Sequence, residues 1–209
     1  MKKIIFICML VCSCITFGIE DKEHFEIIVN QLFEFEGRNL VKAEDGYSKF
    51  GLTKYYTDDV KNLTENKAKE IIYSKIYNKY ELHRINNLAT KHLIFDFIYN
   101  TNPYRAIKVI KKICKNYDEE INLENYSLSD RVISVINNNP QVFEELVQAR
   151  LEYIRSLKLY KKYGNGWEKR INWFQNEYKD YIIELKIKQK YMDIMREIRE
   201  VVKVSLEQN

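Results

Sequence analysis

Apolar side chains recur at helical spacing over most of the chain. Between His24 and Glu36 they fall on one face of a helix, at Phe25, Ile28, Val29, Leu32 and Phe33. Gly37 follows at a position where helices commonly end. The polar segment from Arg38 to Ser48 lacks helical periodicity, so it predicts a loop or a small hairpin.

Start signals and apolar periodicity predict five more helices downstream. Thr64, Asn102 with Pro103, Ser129 and Pro140 are residue types that favour a helix cap or first turn. The helices are expected over about 64–80, 87–99, 103–115, 129–137 and 140–163.

The final part of the chain predicts one or two closing helices. We expect Gly164, Asn165 and Gly166 to break the preceding helix, and neither Gly nor Pro occurs from Trp167 to Leu206. An apolar stripe along this part predicts packing against the rest of the domain or against a second copy of the chain: Tyr181, Leu185, Met192, Met195, Val202 and Leu206.

Composition agrees with a helical fold. The 209 residues include two prolines, six glycines and 45% hydrophobic side chains, enough for one compact domain that needs no disulfides. We therefore predict an all-α fold with a small irregular or β-hairpin loop and a C-terminal helical extension. The formal net charge is +4, and no nucleic-acid-binding motif occurs, so we expect no nucleic-acid partner.

The first 18 residues are typical of an export signal. Lys2 and Lys3 precede an uncharged apolar stretch that is too short to span a membrane comfortably. Cleavage before Ile19 is one expectation, and a lipoprotein signal to residue 13 with a lipid on Cys14 is another. An uncleaved anchor is the third. All three predict a folded part in the periplasm or cell envelope, with membrane contact only through the anchor or the lipid.

Cysteine and histidine usage predicts neither a disulfide nor a metal site in the body of the chain. Cys114 is the only cysteine beyond the export segment, and we interpret it as a small core residue. His24, His83 and His92 lack metal-ligand spacing. No metal and no cofactor are expected.

Glu36 falls on the apolar face of the first helix. A helix turns about 100° per residue, so Glu36, eleven positions after Phe25, lies about 20° from it, whereas Glu34 points the other way. Burial and the negative end of the helix dipole both favour a protonated carboxyl group there. Cleavage of a glycosidic bond needs such a proton donor. The pattern alone also fits a Glu36 that turns into solvent at a fraying helix end.

Four segments resemble, in order, the N-acetylmuramidases of glycoside hydrolase family 108. They are Phe33-Glu34-Phe35-Glu36-Gly37, Gly46-Tyr47-Ser48-Lys49-Phe50-Gly51-Leu52-Thr53, Asp96 to Asn100 and Gly166-Trp167-Glu168-Lys169-Arg170. The resemblance covers about residues 24–173. The family includes phage endolysins and secreted bacterial lysozymes, so the resemblance implies a lysozyme-like helical fold.

The resemblance implies a peptidoglycan hydrolase that cleaves between N-acetylmuramic acid and N-acetylglucosamine. The catalytic Glu of the family's Glu-Gly-Gly motif maps onto Glu36, which becomes the expected general acid. Arg38 replaces the second glycine, Tyr47 occupies a position where a small residue is usual, and Ser48 replaces threonine. These departures keep an alternative open, which is a catalytically inactive wall-binding envelope lipoprotein of the same fold.

The loop after Glu36 holds the candidate for a second catalytic group. Asp45 is the first choice because the family commonly has an aspartate there, and Glu44 is the fallback. An Asx-turn beside Gly46 is the structural alternative for Asp45.

Substrate contacts are expected from hydroxyls and aromatic rings. Ser48 and Thr53 could bind the sugar or satisfy a turn, and the rings of Tyr47, Tyr55 and Tyr99 could stack on sugar rings.

One residue of the later motifs is interpreted as structural, and two others have two explanations each. Asp96 lies in an apolar run, where we expect it to cap a neighbouring helix or pair with a base such as Arg105. Trp167 and Arg170 match the closing motif, but packing of the last helix explains them equally well.

The predicted organisation has three parts. The export segment is followed by a lysozyme-like domain over 19–174 and a C-terminal helical extension over 175–209, through which the chain could self-associate. Within the domain, the catalytic part covers about 24–84, and the family resemblance implies peptidoglycan-binding helices over about 85–174.

Overall fold

The computed structural model describes residues 20–43 and 46–207. The export segment, with its alternative cleavage and lipidation sites, lies outside the described residues. Contacts divide the chain into two compact units, Met1–Leu88 and Ala89–Asn209.

Among its described residues, the first unit combines three helical segments with a small hairpin. Helix α1 covers residues 20–36. Strands β1 (Val41–Ala43) and β2 (Gly46–Ser48) pair antiparallel. Helix α2 (Glu65–Ile72) continues directly into a π-helical turn (Tyr73–Tyr77), and a short 3-10 helix (Leu82–Arg84) follows.

The predicted apolar face of α1 forms the core of the first unit. Its five members are all buried, namely Phe25, Ile28, Val29, Leu32 and Phe33. Thr64 caps α2 as predicted, because its hydroxyl accepts a hydrogen bond from the backbone N–H of Lys67 at 3.3 Å. Ala68 and Ile72 of α2 and Ile76 of the π-helical turn are buried. Sequence periodicity therefore placed both helices correctly, although not the π-helical turn.

The second unit contains six helices among its described residues. They are α3 (Leu88–Tyr99, which begins at the boundary), α4 (Pro103–Cys114), α5 (Asp130–Asn138), α6 (Val142–Arg155), α7 (Tyr160–Glu177) and α8 (Lys179–Glu207). Asn102 caps α4 by accepting a hydrogen bond from the N–H of Tyr104 at 3.0 Å. Ser129 precedes α5 but makes no side-chain cap bond. Cys114 is fully buried, which confirms its prediction as a core residue.

The expected helix break at Gly164, Asn165 and Gly166 is wrong. All three residues lie inside α7, and the chain leaves its helical path earlier, between Arg155 and Tyr160. Gly164 is needed for space rather than for a turn, because a Cβ there would lie 2.4 Å from ring atoms of Tyr160 one turn earlier.

The apolar stripe of the last helix stays largely exposed. Tyr178 separates α7 from α8, so the chain closes with two helices. Ile182 is buried, but from residue 187 to residue 206 no side chain is buried. The prediction that the whole stripe packs against the rest of the domain is therefore wrong, while self-association stays a prediction.

The fold is all-α, with a small hairpin and a C-terminal helical extension, as the sequence predicts. Among the described residues, no helix combines the length and the apolar character needed to cross a bilayer.

Candidate active site

Glu36 is the last residue of α1 and is half-buried. Phe33, one turn earlier, is 1% exposed, whereas Glu34 faces solvent as predicted. Glu36 is less buried than the apolar face to which it belongs because the helix ends there. A carboxyl group in this position contacts both the protein and the solvent.

Gly37 ends α1 by taking a backbone conformation that favours glycine. Its φ is +82°, and its N–H donates to the carbonyl oxygen of Phe33 at 2.9 Å. This is the left-handed cap that commonly terminates helices, and it confirms the predicted end of α1.

Arg38 fixes the start of the loop that follows. Its guanidinium donates to Glu65 of α2 at 2.7 Å and to Glu34 at 3.1 Å, and it lies 5.4 Å from the centroid of the Phe33 ring. In the sequence, Arg38 stands out only because it replaces the second glycine of the motif. The acidic Glu34 four residues earlier was the available signal for its ion pairing.

The hairpin brings two predicted contact residues onto β2. Tyr47 pairs with Lys42 and Ser48 with Val41. The ring of Tyr47 is exposed, and the ammonium group of Lys61 lies 4.3 Å from its centroid, within range of a cation–π contact. Ser48 is half-buried.

A tight turn follows the hairpin. Lys49 and Leu52 exchange two backbone hydrogen bonds of 3.0 and 2.9 Å, and the residues between them, Phe50 and Gly51, have φ values of 56° and 72°. Positive φ at both central residues is the mark of a type I′ turn. Phe50 is nonetheless buried, with its ring 4.9 Å from that of Phe33.

Thr53 has its polar groups engaged in the backbone that follows it. Its carbonyl oxygen accepts from the N–H of Tyr56 at 2.9 Å, and its hydroxyl accepts from the N–H of Tyr55 at 3.4 Å. These contacts match the structural alternative in which the hydroxyl satisfies a turn. Tyr55 itself is 84% exposed.

Asp45 and Glu44 lie outside the described residues. The first unit therefore holds Glu36, Tyr47, Ser48 and Thr53 among the described candidates. Tyr99 belongs to the second unit, where it is half-buried with its ring stacked on Phe95 at 5.9 Å.

Asp96 is a buried charge with two arginine partners. It is 1% exposed and bonds to Arg150 of α6 and, at 2.6 and 3.0 Å, to Arg170 of α7. Burial would raise the pKa of Asp96, but the two guanidinium groups outweigh burial and hold the pKa below its usual range. The structural interpretation of Asp96 agrees with this arrangement. The expected partner was wrong, because Arg105 is exposed and Arg150 and Arg170 form the pair instead.

Arg170 and Trp167 occupy α7. Arg170 serves the buried ion pair, and the ring of Trp167 lies 5.8 Å from that of Tyr163. These contacts favour a packing role for the closing motif.

His92 is also buried, and its position in the sequence did not indicate a structural role. Its Nδ1 lies 2.7 Å from the hydroxyl of Tyr178, and Trp173 and Phe174 make ring contacts with it. Burial lowers the pKa of His92 to about 4, the charge of Asp96 opposes this, and Arg170 and Arg150 add to the lowering. Within 20–43 and 46–207, no three His, Cys, Asp or Glu side chains are grouped so as to hold a metal ion.

Comparison with known proteins gives one likeness of fold. No protein-family model matches the chain, and no curated protein sequence matches it. The solved structure of SagA from Brucella abortus matches with a TM-score of 0.64 and 21% sequence identity, over 75% of this chain and 94% of SagA. The chain therefore shares its fold with SagA, and the motif resemblance to glycoside hydrolase family 108 remains a prediction.

Proposed function

We propose that this chain is an exported peptidoglycan hydrolase that cleaves the glycosidic bond between N-acetylmuramic acid and N-acetylglucosamine, with Glu36 as the general acid. The observation that carries the proposal is the position of Glu36. It is a half-buried carboxyl group at the end of α1, immediately before Gly37 and the loop that leads into the hairpin. The all-α fold with a small hairpin agrees with the fold that the family resemblance implies.

The chemistry requires a proton at the oxygen of the leaving sugar. A carboxyl group within reach of that oxygen can deliver the proton. The exposed part of Glu36 leaves room for a sugar oxygen to approach. The ion pairs of Arg38 with Glu34 and Glu65 anchor the backbone next to Glu36, which favours a fixed position for the acid.

A second group must position water or stabilise the positive charge that develops on the sugar. We assign this role to Asp45, with Glu44 as the alternative, because the family resemblance implies an aspartate in the segment that follows Glu36. Tyr47, Ser48 and Thr53 remain the proposed substrate contacts of the first unit, and Tyr99 is a separate candidate in the second unit. Of these, Tyr47 offers the most accessible ring in the hairpin.

The proposed substrate agrees with the proposed location. Peptidoglycan lies outside the cytoplasm, and the predicted export segment would deliver the chain to the periplasm or the cell envelope. Lysis of a host during phage release and local remodelling of the wall are both compatible settings.

The direct test compares Glu36→Gln with Glu23→Gln in digests of purified peptidoglycan, with mass identification of the new sugar ends. The parent chain and Glu23→Gln should release muramic-acid reducing ends at similar rates, because Glu23 is exposed on α1 and lies thirteen residues before Glu36. Glu36→Gln should be slower by roughly 10²–10⁴-fold, the usual contribution of a general acid. Equal rates for the two variants would remove Glu36 from this role.

The alternative is an inactive wall-binding protein of the same fold, and Arg38 is the observation that favours it. Its side chain occupies the place of a motif glycine and lies between Glu34 and Glu65. Binding of the parent chain to sacculi without release of reducing ends would support this alternative. If Arg38→Gly then released such ends, the arginine itself would be identified as the block.

A further inference from the structure

The last helix carries an exposed apolar seam that the proposed hydrolase function does not use. Its five members are Ile187, Tyr191, Ile194, Ile198 and Val201, and each is between 45% and 66% exposed. They follow one another at intervals of four, three, four and three residues. At about 100° per residue, all five lie within about 40° of one line along the helix.

We propose that α8 pairs through this seam with α8 of a second copy, as an antiparallel two-stranded coiled coil. Alternating spacings of three and four residues are the pattern by which two helices interlock side chains. This inference does not depend on the hydrolase proposal.

The seam begins beyond the last buried residue of α8. Ile182 is buried, and Lys186 forms an ion pair with Glu144 of α6. Beyond that pair, the twenty residues 187–206 include no buried side chain. This stretch measures about 30 Å at 1.5 Å per residue. A helix of that length is marginal in water unless its apolar side packs on something, so the seam needs an occupant.

Charge complementarity favours a second copy as that occupant. Lys190 and Glu197 flank the same side of the seam, seven residues apart. In an antiparallel pair that layers Tyr191 against Ile194 of the second copy, Lys190 of each chain lies beside Glu197 of the other, which gives two opposite-charge contacts. A parallel pair would place Met195 and Val202 beside these charges and gain neither contact.

The same residues make a lipid surface a poorer fit. Helices that lie on anionic membranes carry a mainly basic polar face. The polar positions of α8 beyond residue 186 alternate basic Lys188, Lys190 and Arg196 with acidic Asp193 and Glu197. Such a mixed face suits pairing between helices.

The test measures the mass of the chain from Ile19 onward by sedimentation equilibrium, over a roughly hundredfold range of concentration. The leader is omitted because its apolar stretch would itself associate. We expect a monomer–dimer equilibrium. Ile194→Asp should weaken the dimer by roughly 30-fold or more, because it places a charge in the centre of the seam. The matched control is Met192→Asp, an equally exposed position off the seam, which should change the dissociation constant less than about threefold.

A charge exchange tests the orientation. Lys190→Glu should weaken the dimer roughly tenfold, and adding Glu197→Lys to it should restore the parent affinity.

A chain that stays monomeric throughout would overturn the proposal, as would a dimer indifferent to Ile194→Asp. An Ile194-dependent dimer unaffected by the exchange would overturn the antiparallel arrangement. If the chain is monomeric but binds anionic vesicles and loses that binding on Ile194→Asp, the occupant is a lipid surface instead.

Discussion

The ring of Phe50 packs against the ring of Phe33, with centroids 4.9 Å apart and planes inclined at 51°. Phe50 has a φ of 56°, a conformation that a bulky side chain rarely adopts and that is unfavourable by about 1–2 kcal/mol. The buried contact with α1 compensates for this strain. It thereby ties the turn after the hairpin to the helix that ends in Glu36.

Phe33→Ala should therefore affect both stability and the loop. The side chain is 1% exposed, so its loss should lower the free energy of unfolding by about 3–5 kcal/mol. Urea unfolding measures this change. Ile27→Ala on the exposed side of the same helix is the control and should change stability by less than about 1 kcal/mol. Similar losses in the two variants would contradict the role given to the Phe33–Phe50 contact.

The two glycines of α7 should respond to alanine in opposite directions. Gly166→Ala should stabilise the chain by about 0.5–1 kcal/mol, because the position is exposed, helical and open around the new Cβ. Gly164→Ala should destabilise it, because the Cβ meets the Tyr160 ring at 2.4 Å and the hydroxyl of that ring bonds to Glu168 at 2.6 Å. Thermal unfolding of both variants checks the signs. Stabilisation by both would show that Tyr160 moves aside freely.

The sequence predicts those parts of the fold that depend on neighbouring residues. Gly37 ends α1, and Thr64 and Asn102 cap their helices, because each acts within a few residues along the chain. The same local rule gives a wrong prediction at Gly164, where glycine is needed for its small volume. Glycine occurs both where a turn needs its conformation and where a close contact needs its small size. Its presence in a sequence does not show which of the two applies.

The sequence does not predict contacts between residues that are far apart along the chain. Asp96 bonds to Arg150 and Arg170, which are 54 and 74 residues away, and no local pattern marks either arginine as its partner. The nearest plausible base in sequence, Arg105, was chosen instead. For the candidate site, helical periodicity placed Glu36 at the end of α1, but it did not indicate that Arg38 would fix the adjoining loop to Glu65.

Removing the charge of Asp96 should be strongly destabilising. Asp96→Asn leaves two guanidinium groups in a buried environment with no opposite charge, which typically lowers the free energy of unfolding by about 3–5 kcal/mol. Asp118→Asn, which alters an exposed ion pair with Arg131, is the matched control and should change stability far less. A small effect of Asp96→Asn would mean that water or a shifted side chain relieves the buried charge.

Acid should weaken the second unit in two separable steps. The pKa of Asp96 is lower in the folded chain than in the unfolded chain, so its contribution is present above the ordinary aspartate range and is lost as the pH falls through the folded value. This loss belongs to strongly acid solutions and should disappear in Asp96→Asn. Unfolding of the parent and the variant at decreasing pH separates the two cases.

His92 should act at milder acidity. Its pKa is about 4 in the folded chain and about 6.5 in an unfolded chain, so the folded state favours the neutral ring. The contribution of His92 to the free energy of unfolding is fully present above about pH 6.5. It declines as the pH falls from there toward 4, because the unfolded chain binds the proton first. Between pH 7 and pH 5 the loss should be about 2 kcal/mol. His92→Gln lacks this titration, so its unfolding free energy should stay nearly constant over the same interval. An equal decline in the parent and in His92→Gln would assign the effect to other groups.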